Sequence, residues 1–284
     1  MALGGHVKHV LIAGAHSYIG DSFKEYLGTY PDQYRVTEMA TKGLKPTPEL
    51  FTGVDAVFCV AGIAHIKENR KNRHLYYEIN RDLVVKIAKA AKEAGVKQFI
   101  LLSSMSVYGL TTGHIRKNTK PNPKSAYGES KLQADEEIMK LEDPNFVFTC
   151  LRPPMVYGHN CTGNYQKLRK FALMSPVFPK YNNKRSMVYI GNLCQFVKDC
   201  IDSEKKGLFF PQNKEYVNTS NMVELVANLH GKHIVFTKVF NWALKKVPLN
   251  TVKKVFGNLT YERTDTIGKY SFIESIQLTE GEWE

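Results

Sequence analysis

Three apolar runs constrain what this chain can fold into. Val7–Ala13, Asp55–Gly62 and Phe99–Leu102 read as buried strands, and each ends on small residues: Gly14, Ala61 with Gly62, and Ser103 with Ser104. Each is followed by a segment of helical period. The first reaches Leu27. The second runs from about Leu75 to Ala94, with Gly95 as its natural stop. The third carries Ser130, Leu132, Ala134, Ile138 and Leu141 behind Tyr127. A further strand is expected over Phe146–Val156. Apolar strands alternating with helices bury both faces of a sheet, so the fold class is α/β, a doubly wound parallel sheet. Ligands of such sheets sit at the carboxyl ends of the strands. The Gly14 turn, Ala61, Ser104 and Pro153 would all lie on that edge.

A second strand covers Tyr34–Met39, but the chain then turns through Pro46 and Pro48 into Glu49–Phe51. One strand–helix unit is missing there, so the sheet is expected to be trimmed by about one strand. After Gly158 the pattern loosens. A helix over Asn164–Leu173, a polar turn from Asn182 into a short strand ending at Ile190, a helix over Asn192–Ile201 and a mixed tail from Leu208 predict a smaller α+β lobe. The expected division is 1–158 plus 188–203 for the sheet domain, and 159–187 plus 204–284 for the substrate lobe.

With 284 residues and 43% hydrophobic content, one large domain or two joined ones can bury an ample core. No run of 18 apolar residues occurs, so no membrane span is expected, and the N-terminus lacks the apolar core of a leader. Cys59, Cys150, Cys161, Cys194 and Cys200 are dispersed, without a Cys-x-x-Cys pair. That set favours reduced thiols in a cytoplasm over a disulfide frame, and no metal site is expected. The formal charge of +12 points to an anionic partner. No nucleic-acid module accompanies it, which favours an acidic small ligand or an anionic surface. Residues 225–261 contain no acid, while Lys232, Lys238, Lys245, Lys246, Lys253 and Lys254 accompany an apolar stripe of Phe236, Val239, Phe240, Ala243, Leu244 and Val247. A packed helix with a solvated basic face is the ordinary reading. Weak peripheral membrane association is the alternative.

Two motifs carry chemistry. Gly14, Ser17, Tyr18, Ile19 and Gly20 lie in a strand–turn–helix joint, whose helix N-terminus suits a diphosphate. Tyr127 and Lys131 are four residues apart and share a helix face. An ammonium beside a phenol favours the phenolate and makes the tyrosine a usable acid or base. A strand-end serine, Ser104, could hold a hydroxyl or carbonyl in line. Glu38, near the end of the second strand, is followed by Lys42 and Lys45, so NAD and NADP both remain open.

Taken in order, Ala13-Gly14-x-x-Ser17-x-x-Gly20, the strand to Gly62 followed by Asn80, Ser103–Gly109 with Tyr127-x-x-x-Lys131, and Leu151–Gly158 with Arg185–Ile190 resemble the extended short-chain dehydrogenase/reductase family of nucleotide-sugar epimerases and dehydratases. The resemblance covers roughly the first 200 residues. It implies a Rossmann fold binding NAD or NADP and a nucleotide-sugar substrate. Tyr127 would be the acid/base. Lys131 would hold the nicotinamide ribose and depress the tyrosine pKa. Ser104 would be the catalytic hydroxyl, with Ser103 and Ser106 in reserve. Val60, Ala61 and Asn80 would line the cofactor, and Pro153 and Pro154 would back its nicotinamide. Arg185 would clasp the substrate diphosphate, and Asn164 would meet its phosphate or sugar. A homodimer through a helix bundle is the family expectation.

This chain departs from the family at Ser17, which replaces the middle glycine of the turn, and at Met155, where UDP-galactose 4-epimerases carry an asparagine. The Arg152-Pro-Pro-x-Val-Tyr-Gly158 form looks more like sugar 4-ketoreductases of surface-polysaccharide pathways. The expected activity is therefore reduction at C4 of a nucleoside-diphosphate sugar, with UDP-sugar 4-epimerisation as the alternative. No acidic pair accompanies Ser104, which disfavours dehydration. A non-catalytic NAD(P)-sensing regulator would not need Ser104, Tyr127 and Lys131 together.

Overall fold

In a computed structural model of the chain, the described residues are 6–64, 66, 68–238, 253 and 255–281. Their contacts group into two units. The first comprises Met1–Gly109, Lys120–Pro153 and Cys194–Phe209, and the second Leu110–Thr119, Pro154–Leu193 and Phe210–Glu284.

The first unit is built on a six-stranded parallel sheet. Its strands are β1 (Lys8–Ala13), β2 (Tyr34–Met39), β3 (Ala56–Cys59), β4 (Gln98–Leu102), β6 (Val147–Leu151) and β10 (Gly207–Phe209), in the spatial order β10-β6-β4-β3-β1-β2. Every pairing is parallel, with Ala13 opposite both Met39 and Cys59, and Leu102 opposite Leu151. β2 is an edge because only a single short turn, Pro48–Phe51, separates it from β3. This is the trimmed doubly wound sheet expected from the two prolines.

Helix α1 (Tyr18–Gly28) follows β1. Between β3 and β4 the helical segment is α2 (Arg73–Tyr77), a π-helical turn (Glu78–Leu83) and α3 (Val84–Glu93), and Gly95 stands just past its end at φ +83°. Helix α4 (Ala126–Met139) lies between β4 and β6. Fully buried Val57, Phe99, Leu101, Ile87, Ala91 and Ile138 join strands to helices in one core. At about 25 cal/mol per Å² of apolar surface removed from water, such side chains are the main source of the fold's stability.

The strand expected over Phe146–Val156 is two strands, β6 and β7 (Met155–Tyr157), because Pro153 and Pro154 supply no N–H for a continuous ladder. In the second unit β7 pairs with β9 (Met187–Tyr189), and β8 (Val177–Pro179) with β12 (Val235–Thr237). β11 (Gln212–Asn213) pairs with β14 (Thr266–Ile267), and β5 (Gly113–Ile115) with β13 (Leu259–Tyr261). Its helices are α5 (Asn164–Met174), α7 (Thr219–Leu229) and α8 (Phe272–Glu280). Helix α6 (Ile190–Asp202) runs from the second unit into the first. The sequence assigned Leu110–Thr119 to the sheet domain; its pairing with β13 puts it in the second unit instead. The apolar stripe from Val239 to Val247 lies outside the described residues. Among the described residues no helix is long and apolar enough to cross a membrane.

Candidate active site

The Gly14 turn connects β1 to α1 and is tied to β2, with the N–H groups of Gly14 and Ala15 donating to the Met39 carbonyl. Gly14 has φ +124°, and a Cβ there would fall 2.9 Å from the Ala61 nitrogen, which is fixed backbone. Only glycine fits. Ser17, the family's missing glycine, is the N-cap of α1. Its Oγ accepts from the Gly20 N–H at 3.2 Å and donates to the Gly14 carbonyl at 2.7 Å, closing the turn on itself. Tyr18, Ile19 and Gly20 form the first helical turn, at the positive end of the helix dipole. Val60 and Ala61 are buried directly behind Gly14.

Beyond Gly62 the π-helical turn aims Asn80 at the chain leaving β3. Its Oδ1 accepts from the Ile63 N–H at 2.8 Å, and its Nδ2 donates to the Ile63 carbonyl at 3.1 Å and to Ser130 Oγ at 3.3 Å. The extra residue of a π turn is invisible to a 3.6-residue pattern, so its presence is a finding of the structure.

Helix α4 carries Tyr127, Lys131 and Asp135 at successive turns. The Lys131 ammonium is buried, and it donates to the carbonyls of Leu102 at 2.9 Å and Ala61 at 3.4 Å. Burial holds its pKa below the usual lysine value. No acceptor for its third N–H is found among the described residues. The Tyr127 ring is half-buried and packs edge-on against Tyr76, and its hydroxyl lies close to the Ser104 side chain. Burial raises the phenol above its ordinary value and Ser104 pulls it back. The expected depression by Lys131 is not seen in this state, because burial outweighs the lowering effect of Ser104.

The three candidate serines separate cleanly. Ser103 points inward and donates to Asp135 Oδ2 at 2.8 Å, within the core. Ser104 caps the short turn Met105–Tyr108, accepting from the Ser106 N–H at 3.1 Å, and faces Tyr127. Ser106 is exposed. Its carbonyl lies 2.5 Å from where a Cβ on Gly128 would sit, so the glycine beside Tyr127 lets α4 close on this turn.

Beneath them lies a pair that sequence reasoning missed. Arg152 Nε donates to Asp135 Oδ2 at 3.0 Å and its Nη1 to the Tyr108 hydroxyl at 2.9 Å. Both ionic groups are buried. Burial works against the arginine's charge, but the carboxylate beside it holds its pKa above the usual value. The backbone continues the support: Ser103 N–H donates to Leu151 O at 2.7 Å and Met105 N–H to Pro153 O at 3.0 Å. Pro153 and Pro154 are both buried.

The remaining candidates lie in other places. Glu38 on β2 pairs with Lys24 of α1, and its Oε1 is buried without a partner among the described residues. In the second unit, Asn164 opens α5 and is exposed. Arg185 donates to the Gly257 carbonyl at 2.8 Å and has no ion pair among the described residues, so burial lowers its pKa. No cluster of three or more metal-ligating side chains occurs among the described residues.

Residues 10–202 match the model of the NAD dependent epimerase/dehydratase family. The UDP-glucose 4-epimerase of Vibrio cholerae is 31% identical over 182 residues, covering 60% of this chain and 55% of that protein. The N-acetyl-alpha-D-glucosaminyl-diphospho-ditrans,octacis-undecaprenol 4-epimerase of Escherichia coli O157:H7 is 26% identical over 212 residues, covering 67% of this chain and 62% of that one. The chain thus spans little more than half the length of the curated relatives it matches. In fold, it is similar to the UDP-glucuronic acid 4-epimerase from Bacillus cereus in complex with NAD, with a TM-score of 0.75, 18% identity and coverage of 96% of this chain and 95% of that one.

Proposed function

Because the chain belongs to the NAD dependent epimerase/dehydratase family, we propose that it catalyses hydride transfer at C4 of a nucleoside-diphosphate sugar, with Tyr127, Ser104 and Lys131 as its catalytic residues. The observation that carries this reading is the buried Lys131 ammonium, one helical turn from Tyr127, held on the Leu102 and Ala61 carbonyls where β4 runs into Ser104, with no third acceptor among the described residues.

The cofactor is NAD or NADP, and the residues present suit it. A turn with no room for a Cβ at Gly14, the positive N-terminal end of α1 and the Lys131 ammonium, whose third N–H finds no acceptor among the described residues, suit a diphosphate and a ribose. Gly14, Ser17, Tyr18, Ile19 and Gly20 would hold the diphosphate. Val60, Ala61, Asn80, Pro153 and Pro154 would line the remainder. When bound, the dinucleotide supplies the hydride acceptor and donor that no side chain provides.

The protein's own part is proton traffic and positioning. In the resting chain Tyr127 is protonated, so it is poised to donate a proton to a developing C4 alkoxide. Run in reverse, it receives the proton of the C4 hydroxyl. Ser104 donates to the same oxygen and keeps it in line with the phenol. Lys131 adds a positive charge that stabilises the phenolate once formed. Asn164 and Arg185 are proposed substrate ligands, Arg185 because an arginine without a carboxylate partner among the described residues suits a diphosphate.

Two outcomes share this machinery. Return of hydride to the other face of the same sugar is epimerisation, which the curated relatives favour. Net reduction of a 4-keto sugar is favoured by Met155 in place of the epimerase asparagine. Incubation with UDP-glucose, UDP-GlcNAc and a 4-keto UDP-sugar separates them. Interconversion of C4 epimers without net change in nicotinamide absorbance marks an epimerase, and stoichiometric loss of reduced cofactor marks a reductase. Tyr127→Phe is expected to lower turnover about a hundredfold to ten-thousandfold in either case. Wild-type turnover in that variant would overturn the assignment.

A further inference from the structure

The exposed large apolar side chains of this protein are mostly scattered; Leu50, Met139 and Ile273, for example, sit on three separate elements. One group is not. Phe171 and Met174 are three residues apart on the last turns of α5, 59% and 70% exposed. Val177 opens β8 directly after that helix, and its partner across the ladder is Val235 of β12. Paired residues of adjacent strands share a face, and these two valines are 40% and 65% exposed. The opposite face of the ladder is packed, with Phe178 buried against Phe236 and Phe256. Four exposed apolar side chains therefore cluster within seven residues of chain and the strand paired to its end, above a packed aromatic face. Single exposed apolar residues need no explanation, but a contiguous group of this kind does.

Charge says what covers it. Residues 144–198, which include α5 and β8, contain no aspartate or glutamate, and neither do residues 225–261, which include β12. The β8–β12 ladder thus brings together two acid-free stretches. Lys167 and Lys170 are exposed on α5, at four-residue spacing from Phe171 and Met174 and therefore on the same sides of the helix. Lys232 and His233 are exposed just before β12, and Lys238 just after it.

We propose that the second unit docks on an anionic membrane surface through this patch. Phe171, Met174, Val177 and Val235 enter the headgroup boundary, and the surrounding lysines meet the lipid phosphates. Apolar insertion combined with basic flanks is the physical basis of interfacial binding. Nothing in this docking requires a membrane-spanning helix.

The test uses the full chain and co-flotation with vesicles of phosphatidylcholine alone or mixed in equal parts with phosphatidylglycerol. Binding to the mixed vesicles, weakened by high salt and absent with phosphatidylcholine alone, is the expected result. Phe171→Ser/Met174→Ser/Val235→Ser and, separately, Lys167→Glu/Lys170→Glu are each expected to weaken it at least about tenfold. Because all five positions are exposed, the thermal midpoint of each variant should stay at the wild-type value. Should one variant fail to fold, the other still decides. Equal flotation with both lipids, no flotation, or wild-type flotation of a folded variant overturns the proposal. So does a concentration-dependent dimer that the serine variant dissolves, which would give the patch to a second copy of the chain.

Discussion

Gly128 offers the sharpest probe of the candidate site, because its two effects pull in opposite directions. Alanine is favoured over glycine inside a helix by about 1 kcal/mol. Here, however, the new Cβ would lie 2.5 Å from the Ser106 carbonyl oxygen, 3.1 Å from its carbon and 3.3 Å from Pro123 Cβ. Ordinary contact begins at 3.4 Å, so the seam between α4 and the Met105–Tyr108 turn must open by 3.4 − 2.5, about 0.9 Å. Overpacking of this size costs about 1–3 kcal/mol, which leaves a net loss of about 0–2 kcal/mol after the helix gain. For a chain of this length that is a fall of at most several degrees in Tm. The same seam carries the hydroxyl pair, with Ser104 capping the turn and Tyr127 next to Gly128. A misplacement near 1 Å costs about a hundredfold in rate. Gly128→Ala should therefore stay folded and lose about two orders of magnitude in kcat. Thermal melting together with steady-state turnover of a C4 epimer pair measures both. A folded variant with kcat within about twofold of wild type would show that this spacing does not set the pair, and the reasoning would fail.

Two further outcomes follow from buried groups. Asp135→Ala strands the Arg152 guanidinium in the core and should destabilise the protein by about 3–5 kcal/mol, whereas Asp135→Ala/Arg152→Met should lose less than the sum of the single variants; urea midpoints check both. Tyr34 and Tyr157 have phenols raised to about 12, chiefly by burial. The stability they contribute is complete below the ordinary phenol pKa of about 10 and is lost as pH rises through about 12. Urea midpoints should therefore fall as the pH passes about 10, and less steeply in Tyr157→Phe; a flat profile would contradict this.

The sheet was readable from the sequence because its signals are local. Apolar runs closing on Gly14, Gly62 and Ser103 mark strand ends, and the proline-rich passage after Met39 leaves no room for another strand and helix. Tyr127 and Lys131 could be placed on one helix face by spacing alone. What escaped is what depends on contacts between distant residues. Nothing near Asp135 announces that its partners are Ser103 and Arg152, and nothing near Gly128 announces the Ser106 carbonyl. Ser17 departs from the family's glycine turn without opening it. It is the turn's clasp, a role that Ser followed by a helix does signal and that N-cap preference could have suggested.

The two serines at the end of β4 show why the site holds together. Neighbouring residues on an extended chain point to opposite sides. Ser103 therefore donates to Asp135, while Ser104 lies towards Tyr127, although both partners sit on α4. Asp135 and Tyr127 are eight residues apart, so the two serines meet the helix at points more than two turns from each other. Lys131 lies midway and ties the same helix to the ends of β3 and β4 through the Ala61 and Leu102 carbonyls. Three polar contacts thus fix the helix along its axis against the strand edge. A slip of α4 by one residue would displace it by about 1.5 Å and break all three together. The raised phenol of the resting chain fits this arrangement, since the lysine first serves to set the register of the helix. Its charge favours the phenolate only when the proton is already leaving for the substrate oxygen.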